Sequence, residues 1–206
     1  MSSQASADPS TAVTLDPKGQ DLLFREARTP NAFTDEPVSD AQLEALYELL
    51  RHAPTSMNQQ PLRLVVVRSD TARERLLTHM DGRNREKTAA APAAVILAAD
   101  LHFDTLMPEL FPHAPDAGKI FADPAVRRES ARFNATLQSG YFVLAARAVG
   151  LSVGPMLGFD AAGVDQDFFP DGRHESVLVA NLGQPGPDAW FPRLPRLDYD
   201  RVTTIL

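Results

Sequence analysis

Between a helical pattern ending near His52 and the apolar run Leu64-Val65-Val66-Val67 stands Pro54-Thr55-Ser56-Met57-Asn58-Gln59-Gln60-Pro61, a connection dense in hydroxyls and carboxamides. Prolines fix the backbone at both ends. Thr55, Ser56, Asn58 and Gln60 offer donors and acceptors suited to the carbonyl and imide edges of a flat heterocycle. Taken alone, the segment reads equally as an ordinary helix-to-strand connection whose side chains satisfy their own backbone. Four further polar groups stand apart from it: Arg28-Thr29-Pro30-Asn31, Asn84 with Lys87, the turn Gly154 to Asp160, and Arg193-Leu194-Pro195-Arg196. Singly, each has a plain structural role: Arg28 or Arg193 as a solvated charge, Asn84 as a helix cap, Lys87 as a snorkelling surface residue, Gly158 as a turn glycine.

Several chemistries are excluded by residue type and spacing. The 206 residues include no cysteine, which removes disulfides, thiolate nucleophiles and Cys-ligated metal centres. The five histidines lie far apart, with no pair at the one-turn spacing of a helical zinc motif, so no metal site is expected. There is no Gly-x-Ser-x-Gly elbow, no Gly-x-Gly-x-x-Gly after a strand and no Gly-x-x-x-x-Gly-Lys phosphate loop. A formal charge of -7 without a Lys/Arg stripe argues against a nucleic-acid surface.

The elements that must position these groups follow from hydrophobic periodicity. Residues 1–17 read as a flexible tail with neither the basic nor the apolar region of a secretory signal, so a cytoplasmic protein is the expectation. Residues 18–206 read as one α+β domain. Leu22 to Phe24 open a short helical segment, and Ser39-Asp40 caps an amphipathic helix through Leu43, Leu46, Tyr47 and Leu50. Strands are expected at Leu62–Arg68, Pro92–Ala99, Leu151–Gly154 and Val177–Gly183, and helices at Thr71–Met80 and around Val164–Phe168. Arg83 to Lys87 reads as a short basic lead-in to the second strand. Ala125 to Val149 is the longest helical pattern, with Phe133, Leu137, Tyr141, Leu144, Ala145 and Ala148 on one face and Gly150 as its stop, which makes it the central helix. The segment from Phe103 to Phe121, rich in prolines and histidines, receives no assignment.

In this order the groups resemble the FMN-dependent nitroreductase family over nearly the whole chain, from about Leu22 onward. Pro54, Thr55, Ser56, Asn58, Gln60 and Pro61 are similar to that family's Pro-Ser-Ser-x-Asn-x-Gln-Pro loop, which the resemblance implies reaches the flavin of the partner subunit. Arg28-Thr29 resembles its N-terminal Arg-Ser pair at the ribityl phosphate and ring edge, with Asn31 where a second basic residue is usual. Asn84 and Lys87 resemble an Asn-x-x-Lys pair at the pyrimidine edge. Pro155, Met156, Leu157 and Gly158, followed by Phe159, resemble the turn whose backbone N–H groups approach flavin N5. Arg193-Leu194-Pro195 resembles the C-terminal return to the phosphate, with Arg196 as a further cation.

The resemblance implies a three-layer fold, a mostly antiparallel sheet flanked by helices, in an intertwined homodimer. It also implies FMN as cofactor, NADH or NADPH as co-substrate, and hydride delivery to a small acceptor. Neither nucleic acid nor membrane is expected as a partner. Ala27 to Asn31, Leu110-Phe111-Pro112-His113, Gly154 to Asp160 and Arg193 to Leu197 further resemble the malonic semialdehyde reductases of bacterial pyrimidine catabolism, pointing to 3-oxopropanoate as acceptor. A broad nitroaromatic or quinone reductase and a flavin-binding protein without turnover are the competing expectations. No side chain is assigned as catalytic; the 103–121 segment and Phe133 are expected as pocket walls.

Overall fold

A computed structural model describes residues 12–206, so most of the tail expected at 1–17 lies outside the described residues. Pro17, the last residue of that expected tail, already begins α1 (Pro17–Gln20), which runs into a wider π-turn at Asp21–Arg25. The sheet at the centre has four strands, β1 (Leu62–Val67), β2 (Ala93–Asp100), β3 (Ser152–Met156) and β4 (His174–Gly183). Their order is β1-β2-β4-β3 and every neighbouring pair is antiparallel. β2 is buried at every position, as its unbroken apolar run requires. β1 and β3 are therefore the two edges.

Helices cover both faces. On one side α2 (Asp40–Leu50) and α6 (Pro124–Ala148) pack Leu46, Leu50, Phe142 and Ala146 against Val95, Leu97 and Leu182. On the other, α3 (Asp70–Thr78), α4 (Gly82–Ala90) and α7 (Ala161–Phe168) accompany a smaller core of Val67, Leu76, Ile96, Val164 and Val179. α2 begins as its sequence dictates: Ser39 Oγ accepts the Gln42 N–H at 3.2 Å and Gln42 Oε1 accepts the Ser39 N–H at 3.0 Å, a complete capping box. α6 starts at a cap from Asp123 to the Ala125 N–H and ends before Gly150, whose φ of 79° suits only glycine without strain.

Three readings of the sequence need correction. The basic stretch Arg83 to Lys87 is not a lead-in but the body of α4, a helix hard to see because Thr88 is its one buried residue. The 103–121 segment is helical throughout much of its length: a 3₁₀ turn at Phe103–Leu106, α5 (Met107–Leu110) and a second 3₁₀ stretch at Pro115–Phe121. The apolar stripe of α6 points outward over its first half: Phe133 is 70% exposed, Leu137 41% and Tyr141 39%, while Ala145 further along it is buried, as are Asn134, Gln138 and Ser139. The chain closes with an extended stretch from Trp190 and a final turn, α8 (Tyr199–Val202).

Candidate functional site

The first and last of the polar groups are brought together by backbone pairing. Residues 31–34 run antiparallel to 184–189, with Asn31 N–H donating to Ala189 O at 2.8 Å, Thr34 N–H to Gln184 O at 3.0 Å and Gly186 N–H to Ala32 O at 3.0 Å. The Asn31 carboxamide also donates to Ala189 O, at 3.3 Å. As a result Arg28, Thr29, Asn31, Arg193 and Arg196 line one cleft of about 330 Å³. Arg193 donates to the carbonyls of Arg25 and Ala27, and Arg28 to Phe191 O at 3.5 Å.

Sequence reasoning missed a fourth cation here. Arg147, near the end of α6, donates to Leu23 O at 2.7 Å and lines the adjoining cleft with Arg28. Burial first, and then the neighbouring Arg193 charge, push the Arg147 guanidinium below its ordinary pKa. Among the described residues Arg147, Arg193 and Arg196 have no carboxylate in salt-bridge reach. An anion seated among them would relieve that repulsion.

The second meeting is between α4 and the turn after β3. Asn84 Nδ2 donates to Gly158 O at 3.1 Å, and Asp81 N–H reaches the same carbonyl at 3.2 Å. Gly158 leaves room for that contact: a Cβ there would stand 2.5 Å from Asn84 Nδ2 and displace the carboxamide. Lys87 follows Asn84 by three residues on the same helix face, half-buried, with no salt-bridge partner among the described residues. Pro155 and Leu157 are exposed, and Met156 Sδ lies 3.8 Å from Asn181 Nδ2. Thr29 joins this region to the first, its methyl 3.5 Å from where a Cβ on Gly154 would sit. Two buried polar atoms beside this turn lack partners: Thr88 Oγ1, one turn beyond Asn84, and Asn181 Oδ1, paired in register with Gly154.

The Pro54–Pro61 loop is not part of either meeting. It leads into β1, at the edge of the sheet opposite β3. Three inter-strand steps and the offset along the strands separate Leu62 from Met156 by on the order of 20 Å. Within its own chain the loop is held by α6 and by the 107–110 helix. Ser56 N–H donates to Asn134 Oδ1 at 2.8 Å and Leu62 N–H to Gln138 Oε1 at 3.0 Å. Asn58 Nδ2 donates to Leu110 O and Gln60 Nε2 to Asn58 Oδ1, both at 2.8 Å, while Thr55 Oγ1 accepts the Gln60 N–H at 3.2 Å. Pro54, Ser56 and Asn58 remain exposed.

Met57, Asn58 and Gln60 all have positive φ, at 51°, 54° and 44°. Left-handed backbone costs a non-glycine residue about 1 kcal/mol or more, least for Asn, so something must hold this shape. Gln59, which sequence reasoning passed over, is fully buried and is one of the anchors. Arg63 is the other: it donates to Gln60 O and Leu62 O, each at 2.9 Å, and to the buried Asp100 carboxylate at 2.8 Å.

An α+β domain with both sheet faces covered by helices, an N- and C-terminal cationic cleft and a polar loop at the opposite edge defines the class of protein. The nitroreductase family profile matches residues 24–184, and the chain belongs to that family. A Streptomyces coelicolor protein carrying the provisional name NADH dehydrogenase/NAD(P)H nitroreductase is 55% identical over 95% of this chain and 100% of its own length. A Streptomyces griseus protein of the same name is 53% identical over the same shares. Among solved structures, a provisionally named nitroreductase from Exiguobacterium sibiricum in complex with FMN superposes with a TM-score of 0.81 at 18% identity, covering 94% of this chain and 99% of that one. At that identity the likeness is one of fold, and it bears out the expected nitroreductase-like architecture.

Proposed function

We propose that this protein is an FMN-dependent oxidoreductase taking hydride from NADH or NADPH and delivering it to a small acceptor, as a homodimer with its flavin sites at the subunit interface. The observation that carries this reading is the meeting of Asn84 with Gly158: an antiparallel bridge between Met80 and Phe159 holds the two segments together and so sets Asn84 and Lys87 beside the Pro155–Gly158 turn, the two groups the family resemblance assigns to neighbouring parts of one flavin. The residues present fit the cofactor. Thr88 Oγ1 and Asn181 Oδ1 are orphaned buried atoms beside the turn, and the cleft of Arg28, Arg193 and Arg196 supplies cations for a phosphate, of which Arg28 is paired with Glu26 at 3.8 Å while Arg193 and Arg196 have no carboxylate in salt-bridge reach among the described residues. FMN bound there supplies two-electron redox chemistry, accepting hydride from a reduced nicotinamide and passing it to the acceptor.

The chain's own residues then have separable tasks. Arg28, Arg193 and Arg196, with Arg147 behind them, hold the phosphate end, because no glycine-rich loop at a helix N-terminus does so. Lys87 and Asn84 place a cation and a carboxamide donor where negative charge gathers on reduction, favouring the reduced form. Gly158 leaves its backbone open to the ring. Ser56, Asn58 and Pro54, exposed at the far edge, face a second copy's site, which explains why they do not meet Asn84 within one chain.

The homodimer is supported by what the single chain leaves uncovered. Phe133, Leu137 and Tyr141 on α6 and Phe191, Leu194 and Leu197 on the C-terminal arm are all exposed. For the acceptor, 3-oxopropanoate reduced to 3-hydroxypropanoate is the narrower reading, supported by the resemblance of the Leu110–His113 and Arg193–Leu197 segments; nitroaromatics and quinones form the broader class. The names of the relatives speak of nitroreductases and so support the broader class. His113 is exposed and packs against Phe111 with ring centroids 3.9 Å apart and planes tilted by 54°, next to the carbonyl that Asn58 binds. A cytoplasmic site of action accompanies this reading; among the described residues no helix is long and apolar enough to cross a membrane.

The test is a visible spectrum of the purified protein, anaerobic reduction with NADH and with NADPH, and reoxidation by a panel containing 3-oxopropanoate, a quinone and a nitroaromatic. Flavin bands that bleach with a reduced nicotinamide and return with an acceptor are expected. No flavin band after incubation with FMN contradicts the reading, and a flavin that neither nicotinamide reduces reassigns the protein as a binder.

A further inference from the structure

The loop that would serve the neighbouring flavin is shaped by α6, through a buried carboxamide pair that no sequence motif marks. Asn134 is 2% exposed and Gln59 fully buried. Asn134 Nδ2 donates to Gln59 Oε1 at 3.0 Å and to Ser130 O at 2.9 Å, while Ser130 Oγ donates to the same Gln59 oxygen at 2.9 Å. The other end of Asn134 accepts the Ser56 N–H at 2.8 Å. One side chain therefore holds the loop at two points, on either side of the left-handed pair Met57 and Asn58. Gln59 is pulled inward at the step between Asn58 and Gln60, which turns those two exposed or half-exposed carboxamides toward the outside.

We infer that Asn134, with Gln59 and Ser130, is a positioning device that presets the Pro54–Pro61 loop for flavin binding, so that cofactor affinity is set partly from inside α6. The inference rests on the FMN reading above. Its logic is that of a preorganised site. A loop of three left-handed non-glycine residues relaxes once its buried anchor is lost, and apparent affinity falls by the fraction of chains that keep the competent shape. A purely structural role for Asn134 predicts something different: lost stability with unchanged affinity in the chains that remain folded.

The experiment uses the apoprotein as a full chain, titrated with FMN and followed by flavin fluorescence, together with hydrogen exchange at the Ser56 amide and the apoprotein melting temperature. Asn134→Leu keeps the volume and removes both ends of the clamp. It is expected to speed Ser56 exchange and raise the FMN dissociation constant about tenfold or more. Asn134→Asp keeps the acceptor for Ser56 N–H but turns an oxygen toward Gln59 Oε1 and Ser130 O, so it is expected to raise the dissociation constant as well; parent-like affinity in this variant would show that the donor end of the clamp is not needed and overturn that part of the inference. Ser130→Ala removes one donor to Gln59 at little risk to folding, and an intermediate loss of about threefold is expected. Asn134→Leu or, should that chain not fold, Ser130→Ala binding FMN as tightly as the parent overturns the inference while leaving the flavin reading intact. A parent protein that binds no FMN overturns the reading itself, and the clamp's part in cofactor binding with it.

Discussion

The two faces of α6 contrast in both burial and polarity. The inner face is buried yet carries Asn134, Gln138 and Ser139 among alanines and Phe142, while the outer face is exposed yet carries Phe133, Leu137 and Tyr141. Burial of polar groups is tolerated because each finds a partner: Ser56 and Gln59 for Asn134, Leu62 N–H for Gln138, and Ala135 O for Ser139. Large apolar groups exposed side by side on one helix face mark an interaction surface. On the homodimer reading proposed above, the inner face arranges a loop and the outer face meets a partner, so α6 would link the two halves of a site shared between chains.

The contrast breaks most visibly at Leu137. On the homodimer reading, Leu137→Glu places an unpaired carboxylate in a buried apolar contact at a cost of several kcal/mol, so self-association weakens at least about a hundredfold. Light scattering after gel filtration reads this as a chain-sized species that retains little flavin; a dimer with full flavin content argues against α6 as the contact. The same phenylalanine chemistry then separates the faces. Phe142→Ala, in the core, is expected to cost about 3–5 kcal/mol in denaturant unfolding. Phe133→Ala, outside, is expected to leave the isolated fold within about 0.5 kcal/mol, and equal losses at both positions would erase the distinction.

A smaller effect is expected at the turn. Gly158→Ala drives a methyl into the place of Asn84 Nδ2, and because Asn84 can swing away the fold should survive. FMN affinity should fall about tenfold, equivalent to roughly 1.4 kcal/mol. Unchanged affinity would remove the Asn84–Gly158 contact from the site.

The smallest effect concerns acid. Burial alone would raise the Asp100 pKa, but hydrogen bonds from Arg173 and the His102 N–H, with the Arg63 and Arg173 charges, leave it below its ordinary value. Its stabilisation is therefore present above the unfolded carboxylate pKa and is lost as pH falls through the folded one. His174 is lowered by burial, more than Asp100 and Asp171 raise it, so its contribution begins to disappear below its unfolded pKa of about 6.5. Stability should decline in two steps on acidification, with His174→Phe flattening the first and Asp100→Asn the second. Melting temperature against pH measures both. Because Asp100 holds Arg63, and Arg63 holds Gln60, the second step should also loosen the loop.

Much of this architecture was legible from local pattern. The capping box at Ser39, the buried run of β2 and the length of α6 each follow from spacing within one element. The 31–34 pairing with 184–189, which assembles the cationic cleft, follows from no local signal. α4 escaped detection because a helix with one buried residue has no stripe to see. The direction of the α6 stripe could not be read, since periodicity locates an apolar face without saying what covers it. Gln59 and Arg147 were missed for a common reason: each acquires its role from a partner far along the chain, Asn134 in one case and Arg193 in the other.

The central claim is that two copies of this chain complete each other's flavin site, and sedimentation velocity monitored at the flavin absorbance tests it directly. A single boundary of twice the chain mass that carries all of the colour is the predicted result. A coloured boundary at the mass of one chain, or a dimer boundary without colour after incubation with FMN, would contradict it.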